Sequence, residues 1–359
     1  MAESYSSTQK LLDWYYRHKR NLEFRDSGDP YKIWVSEIML QQTRVDQMLP
    51  YYRRFIEAFP TVKDLASADQ QEVLRLWEGL GYYSRALNLH EAARQVVNNH
   101  NGKLPETRDE LQNLKGIGPY TSAAIASIAY NQPYPVVDGN VERVISRYFG
   151  FRDDIRKQKT KKQIESAVYD LIPKENPGDF NQAVMELGAT ICLPKNPQCR
   201  VCPLSDDCVA GNLANTDKIP YKSPAKSRPH HEIGIGIIRD DQQQVLIAKR
   251  PENAMLGGLW EFPGGKRKDG EELESTVIRE LKEELGVTVS VDQPFMKLKH
   301  AYSHFTVHLH AYLCRIKNGI PEPNSSTEIR WVTTGELSDY PFPKANRKLT
   351  EALQNKLML

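Results

Sequence analysis

The spacing of apolar residues changes once along this chain, from a period near 3.6 to a period of two. Residues 6–22 predict a helix with Leu11, Leu12, Trp14 and Tyr15 on its apolar side. Asp29-Pro30 reads as a cap and a first-turn proline, opening a helix that carries Ile33, Trp34, Glu37, Ile38, Leu40 and Gln41. Thr107 and Glu110 form a capping box for a helix leading into Leu114-Lys115-Gly116-Ile117-Gly118-Pro119-Tyr120. Two glycines there bracket one apolar residue, and a proline opens an alanine-rich run, which predicts helix, tight hairpin, helix. Val141, Val144, Ile145 and Tyr148 mark a further helix ended by Gly150. Two more are expected over 160–191. Beyond 231 the pattern alternates, and 232–238 and 244–248 read as strands. Further strands are expected near 297–316 and 328–333. One helix over 272–285 presents Leu273, Val277, Ile278, Leu281 and Leu285 as a buried stripe.

These elements predict an all-helical domain over 1–211 and an α/β domain over 231–359. The stretch 212–230 holds Pro220, Pro224 and Pro229, with Lys218, Lys222, Lys226 and Arg228 against a lone acid, Asp217. Such a composition argues a semi-rigid spacer, and its positive bias suits a chain crossing a phosphate backbone.

The length, 359 residues, agrees with about two domains that each bury a core. A net charge of +2 neither demands nor excludes nucleic acid, so the arrangement of charge must decide. No segment has the uninterrupted apolar length of a membrane span. The opening MAESYSSTQK lacks the basic and apolar regions of a secretory signal. A cytosolic monomer is the default expectation, nucleoid-associated if bacterial. Four of five cysteines fall within 192–208, which reads as one ligand set plus a lone Cys314 rather than a disulfide framework.

Four features carry candidate chemistry. Gly116 and Gly118 permit positive φ and leave backbone N–H groups uncovered at a helix start, where phosphate binds; an ordinary αα-hairpin explains them equally well. Asp138, in Pro135-Val136-Val137-Asp138-Gly139-Asn140-Val141, sits where a helix begins. Backbone N–H groups and the helix dipole would hold its carboxylate as a fixed anion; a plain capping Asp is the bland reading. Glu37 lies on an apolar helix face, where an acid keeps its proton to higher pH than usual; a buried structural Glu is the alternative. The cysteines Cys192, Cys199, Cys202 and Cys208, spaced C-x6-C-x2-C-x5-C, point to a metal, zinc or iron–sulfur, and the spacing alone leaves both open.

The hairpin, the Val137-Asp138-Gly139-Asn140 segment and the cysteine set together resemble the helix-hairpin-helix DNA glycosylases of the endonuclease III superfamily. Bifunctional members carry a lysine nucleophile just after the hairpin, whereas this chain has Tyr120, the pattern of the MutY family of adenine glycosylases. The resemblance implies a [4Fe–4S] cluster on the four cysteines. It makes Glu37, in Ser36-Glu37-Ile38-Met39-Leu40-Gln41-Gln42-Thr43, the general acid, and Asp138 the stabiliser of the sugar cation. Tyr120 and Asn140 place these groups, Gln42 fills the gap left by a flipped base, and Arg25 lies near the adenine pocket. Relatives often have proline and tryptophan before that arginine; here Glu23 and Phe24 stand there. Tyr82, in Trp77-Glu78-Gly79-Leu80-Gly81-Tyr82-Tyr83, matches an intercalating tyrosine, although a glycine-ended turn with core tyrosines reads as well from the residues alone. Lys195 and Arg200 are candidate phosphate contacts.

The second domain carries a complete Nudix box: Gly265, Glu271, Arg279, Glu280, Leu281, Glu283, Glu284, Gly286 and Val287 fit G-x5-E-x7-R-E-U-x-E-E-x-G-U. MutY proteins end in a Nudix-related domain that recognises 8-oxoguanine, and Tyr302-Ser303-His304 resembles the recognition loop, with Ser303 and His304 as the contacts. Glu280, Glu283 and Glu284 are candidate Mg²⁺ ligands only if this domain also hydrolyses an oxidised nucleotide such as 8-oxo-dGTP; otherwise Lys282 and Arg279 screen a solvated acidic face. The expected activity is hydrolysis of the N-glycosidic bond of adenine mispaired with 8-oxoguanine or guanine in double-stranded DNA. The rivals are an endonuclease III-like glycosylase/lyase for oxidised pyrimidines and a catalytically silent mismatch-binding protein.

Overall fold

A computed structural model describes residues 2–224, 228–302 and 305–356 of the chain. Ser303 and His304, the expected recognition contacts, lie outside the described residues. The chain divides into two compact units, Met1–Ser67 with Glu91–Ala225, and Ala68–His90 with Lys226–Leu359.

The first unit is helical. Its elements are α1 (Ala2–His18), α2 (Glu23–Asp26), α3 (Pro30–Leu40), α4 (Val45–Ala58) and α5 (Val62–Ser67). After α6 (Gln70–Trp77), which belongs to the second unit, come α7 (Ser84–Asn99), of which residues 84–90 fall in the second unit, α8 (Arg108–Gln112), α9 (Pro119–Tyr130), α10 (Gly139–Phe149), α11 (Gln158–Leu171), α12 (Pro177–Thr190) and α13 (Val209–Asn212). The caps form as the residue types require. Asp29 accepts from the Tyr31 N–H to start α3, with Pro30 in its first turn. Thr107 accepts from the Glu110 N–H to start α8. Gly150, at φ 72°, closes α10 in the left-handed conformation that glycine adopts without strain. Leu11, Trp14, Val144, Ile145, Phe180 and Val184 join one core that α9, α10 and α12 surround. Residues 213–224, expected as a spacer, are fastened to this unit. Arg147 donates to the Thr216 and Ile219 carbonyls at 2.6 and 2.8 Å, Ile155 N–H donates to Tyr221 O at 3.1 Å, and Arg156 to Pro224 O at 3.0 Å.

The second unit holds two sheets. β1 (His230–Ile238), β4 (Gly264–Lys266), β5 (Thr288–Ala301) and β6 (Thr306–Asn318) form one in the order β4-β1-β6-β5, with β1 and β6 parallel. β2 (Val245–Lys249), β3 (Trp260–Glu261) and β7 (Glu328–Val332) form an antiparallel second sheet. α14 (Leu273–Leu285) lies across the first sheet, and α15 (Lys344–Lys356) follows the last strand. Gly234 and Gly236 make the close helix packing possible: a Cβ on Gly236 would stand 2.5 Å from the Leu281 side chain. Val277, Leu281 and Leu285 are buried in that interface as expected, but Ile278 is 38% exposed and is not part of the stripe. The segment 68–90 packs into this unit. Trp260 Nε1 donates to Gln71 Oε1 at 3.2 Å, Tyr83 OH to Phe342 O at 3.0 Å, and Phe342 N–H to Glu78 at 3.1 Å. Among the described residues no helix is long and apolar enough to cross a membrane.

Candidate active site and cysteine cradle

The C-terminal half of α3 and the starts of α9 and α10 converge on one cavity of about 940 Å³ in the first unit. Its lining includes Glu37 from α3, Gly116, Gly118 and Tyr120 from the hairpin and α9, and Asp138 and Asn140 from the start of α10. Arg25 and Gln42 complete the set. Glu37, Tyr120, Asp138, Asn140, Arg25, Gln42, Gly116 and Gly118 therefore share one space, although they span more than a hundred positions of chain.

Glu37 is 2% exposed. Burial pushes its carboxyl above the usual carboxylate range; Arg25 opposes this, Asp138 adds to it, and the Tyr120 hydrogen bond opposes it. Tyr120 OH donates to Glu37 Oε2 at 3.4 Å, and Arg25 Nη2 stands 4.0 Å from Oε1. Among the described residues Oε1 is a buried oxygen with no hydrogen-bond partner. A buried polar atom without one is costly, and such an atom facing a cavity suits a group that exchanges a proton with a bound molecule. Tyr120 is itself driven well above the ordinary phenol range, first by burial and then by Glu37 and Asp138, so it acts as a neutral donor.

Asp138 is the N-cap of α10. Its Oδ1 accepts from the Asn140 and Val141 N–H groups at 2.8 Å each, and its Oδ2 accepts from Asn140 Nδ2 at 2.9 Å. Three donors fix the carboxylate at the positive end of a helix dipole. Asn140 is held in turn: Arg143 Nη2 donates to its Oδ1 at 2.9 Å and to Gly188 O at 2.7 Å, while Arg143 Nε donates to Cys192 O at 2.7 Å. One guanidinium thus ties the Asp138 cap to α12 and to the first cysteine. Gly188 of α12 lets α10 come this close, because a Cβ there would meet Asn140 Cβ at 2.6 Å and the Asn140 backbone at 3.1 Å.

The hairpin glycines divide the labour. Gly116 has φ 76° and needs to be glycine for the turn. Gly118 does not adopt positive φ; it is the extended N-cap of α9, at φ −90° and ψ 179°. A Cβ on Gly118, or on Gly139 at the start of α10, would meet nothing within 4 Å. Neither glycine is required by the protein's own packing, and both line the cavity, so their smallness leaves room for something that approaches the backbone closely. Gln42 is exposed in the left-handed region at φ 58°. Phe24, in place of the relatives' tryptophan, is fully buried with the Arg25 guanidinium 5.8 Å from its ring centre, and Glu23 pairs outside with Arg53 at 3.0 Å.

Sequence reading missed part of this wall. Arg20 forms a bidentate pair with Glu186, at 2.6 and 2.9 Å, and both line the cavity. Gly188 and Arg143 were missed as well. Each acts through a partner 45 or more positions away, so no local spacing could reveal it.

Cys192, Cys199, Cys202 and Cys208 line a separate cavity of about 230 Å³, together with Arg147 and Gly211. Among the described residues none of the four forms a disulfide. Arg147, 2% exposed, donates to Cys192 Sγ at 3.3 Å and to the Leu193, Pro194, Thr216 and Ile219 carbonyls, so one buried cation organises the loop. Lys195 and Arg200 are exposed on it.

In the second unit, Tyr82 lies at φ 50° with 41% of its surface exposed and the Arg85 guanidinium 5.3 Å from its ring centre. The acids of the Nudix box are engaged by protein partners. Arg279 pairs with Glu271, Glu280 and Glu283 at 2.7, 2.7 and 3.3 Å. Glu284 accepts from the Gly264 N–H at 3.0 Å, and its carboxyl is raised to about 7, chiefly by burial and then by Glu261. Among the described residues the group of histidine and acid side chains whose ligand atoms all lie within 4.8 Å of one another is His230, Glu232 and His308.

Comparison with known proteins agrees with both units. Residues 35–170 match the family model described as HhH-GPD superfamily base excision DNA repair protein, and residues 234–352 match the NUDIX domain. The human adenine DNA glycosylase is 32% identical over 99% of this chain and 75% of its own length. The adenine DNA glycosylase of Buchnera aphidicola subsp. Acyrthosiphon pisum is 33% identical over 87% of each. A solved thermostable thymine-DNA glycosylase, 28% identical, covers 59% of this chain and all of its own with a TM-score of 0.53. With identity at this level across both units, the chain belongs to the adenine DNA glycosylases, enzymes of base excision repair.

Proposed function

We propose that this enzyme releases adenine mispaired with 8-oxoguanine or guanine in double-stranded DNA, by hydrolysis alone. The observation that carries the proposal is the shared cavity of Glu37 and Asp138, a buried proton donor and a fixed anion. The hairpin N–H groups, bared at Gly116 and Gly118, hold a backbone phosphate, and Gly139 leaves space beside it. The adenine leaves the stack, since its sugar cannot be reached in the duplex. Gln42 fills the place it vacates, and Arg25 borders the base pocket. Glu37 donates its proton to the base. The C–N bond breaks with its electron pair going to the leaving adenine, and Asp138 stabilises the sugar cation, directly or as a covalent ester in the manner of retaining glycosidases. The Glu37 carboxylate, now facing Arg25, takes a proton from the attacking water and is reset. Tyr120 and Asn140 keep the two carboxyls in place.

Tyr120 at the position of a bifunctional enzyme's lysine supports a monofunctional reaction, because no Schiff base can form there. The four cysteines fit a [4Fe–4S] cluster better than zinc. Zinc–sulfur bonds near 2.3 Å set a tetrahedron with sulfur atoms about 3.8 Å apart, whereas among the described residues the cysteine sulfurs are not a set converging within 4.8 Å. When bound, the cluster would cross-link a loop that has little core of its own. Tyr82 stacks in the duplex, and Ser303 and His304 read the oxidised guanine. The chain acts as a monomer.

The test is single-turnover base release from duplexes with adenine opposite 8-oxoguanine, guanine or thymine. We expect release opposite 8-oxoguanine and guanine, no borohydride-trapped adduct on abasic DNA, and loss of release in Asp138→Asn. Unchanged release by Asp138→Asn would overturn the mechanism, and an efficient trapped adduct would favour a lyase instead.

A further inference from the structure

We propose that His230, Glu232 and His308 form a binding site for a divalent transition-metal ion of the zinc class, at the end of the four-stranded sheet where β1 begins. Alternation along a strand puts His230 and Glu232 on one face of β1, and His308 and His310 on one face of β6. The parallel register sets Glu232 beside His308 and His230 beside Thr306. The three side chains each offer a ligand atom, and all three atoms lie within 4.8 Å of one another. His230 Nε2 stands 2.9 Å from Glu232 Oε1, and His308 Nδ1 stands 2.8 Å from the same oxygen. Zinc holds nitrogen and oxygen ligands at about 2.0–2.2 Å, so neighbouring ligand atoms in its tetrahedron are about 3.4 Å apart. The two nitrogens need to move away from the shared Glu232 oxygen by only roughly half an ångström, which small χ rotations supply. Two imidazoles with one carboxylate favour zinc and its neighbours over magnesium or calcium, which take oxygen ligands.

The surroundings already supply what orients such ligands. His310 Nε2 lies 2.5 Å from the other oxygen, Glu232 Oε2, and the Thr306 hydroxyl lies 2.9 Å from His230 Nδ1. Partners of this kind fix the tautomer and the ring angle of a ligating histidine and are part of most metal sites. His230 is exposed, so a fourth position opens to water. Without metal, His230, His308 and His310 each bring one ring nitrogen to the carboxylate; on binding, the nitrogens of His230 and His308 that face it give their lone pairs to the ion and carry no proton. Lys297 and Lys299, opposite His310 and His308 on β5, and Arg267 beside β1 are the nearby cations, and all three are exposed, so water and salt screen them.

The location suggests a structural clamp. Thr306 N–H donates to Pro229 O at 2.9 Å, and Tyr302 N–H to Phe305 O at 2.8 Å, so the site joins the first residue of β1 to the foot of the turn between β5 and β6. The experiment uses the full chain, stripped with chelator and dialysed against an excess of Zn²⁺, with zinc and iron per chain measured by plasma mass spectrometry. We expect the wild type to hold one zinc more than His230→Asn/His308→Asn, at equal iron, and Co²⁺ substitution to give a visible d–d spectrum that the double variant lacks. Glu232→Gln, which keeps the side-chain shape, should weaken zinc binding at least tenfold and serves if the double variant folds poorly. Equal zinc content in wild type and both variants, or no zinc bound by the wild type beyond the cysteine loop, would overturn the proposal.

Discussion

Gly188→Ala tests whether the Asp138 cap is a positioned catalytic group. The new methyl would stand 2.6 Å from Asn140 Cβ and 3.1 Å from its Cα and carbonyl oxygen. Ordinary carbon–carbon contact is about 3.5–4.0 Å, so α12 and the first turn of α10 must part by roughly 1 Å. Asp138 moves with that turn, because its carboxylate hangs on the Asn140 and Val141 N–H groups. A misplacement of about 1 Å at a reacting centre costs on the order of 100-fold in rate. Overpacking also costs about 1–3 kcal/mol of stability. Gly178→Ala, in the same helix, separates the two effects. Its Cβ would meet Ser127 O at 2.5 Å, between α12 and α9, away from the cap. Both variants should lower Tm by several degrees, but only Gly188→Ala should lower single-turnover adenine release by about two orders of magnitude with duplex affinity little changed. Release within threefold of wild type in a folded Gly188→Ala protein would refute the reasoning; so would equal losses in the two variants.

Further outcomes follow from the same geometry. Glu37→Gln should reduce base release by about 10²–10⁴-fold, the usual worth of a general acid, and the wild-type rate should fall as pH rises through the raised Glu37 pKa; a flat profile would contradict its role. Because this group binds its proton more tightly folded than unfolded, stability should also decline from the ordinary glutamate range up to that pKa, and Glu37→Gln should remove the slope in pH-dependent denaturation. Arg147→Met should leave four carbonyls without their buried donor, at roughly 1 kcal/mol or more each, and iron content after purification should drop sharply; undiminished iron with an unchanged Tm would show that the cation does not organise the cysteine loop. Arg143→Ala should lower both base release and iron retention, since one guanidinium reaches Asn140, Gly188 and Cys192, and an effect confined to either readout would argue that the two loops are independent.

The sequence by itself determined the elements and the chemistry at their ends. A cap is a local matter of side chain and following N–H groups, so Asp29, Thr107 and Asp138 could be placed from their neighbours, as could the stop at Gly150. The period change likewise announced a helical part and a strand-bearing part. Tertiary structure decided the rest. The Glu37 carboxyl is raised only because α3 buries it, beside Arg25, Tyr120 and Asp138, which arrive from three other places in the chain. The 68–90 segment, read from the sequence as part of the helical domain over 1–211, packs with the strand-bearing unit through Gln71, Glu78 and Tyr83, whose partners lie 189, 264 and 259 positions on. His308 and His310 of β6 meet Glu232 of β1 only through a parallel register that no local pattern encodes. Periodicity and capping are properties of neighbours in sequence, whereas desolvation, cavity shape and ligand convergence depend on which distant surfaces are pressed together.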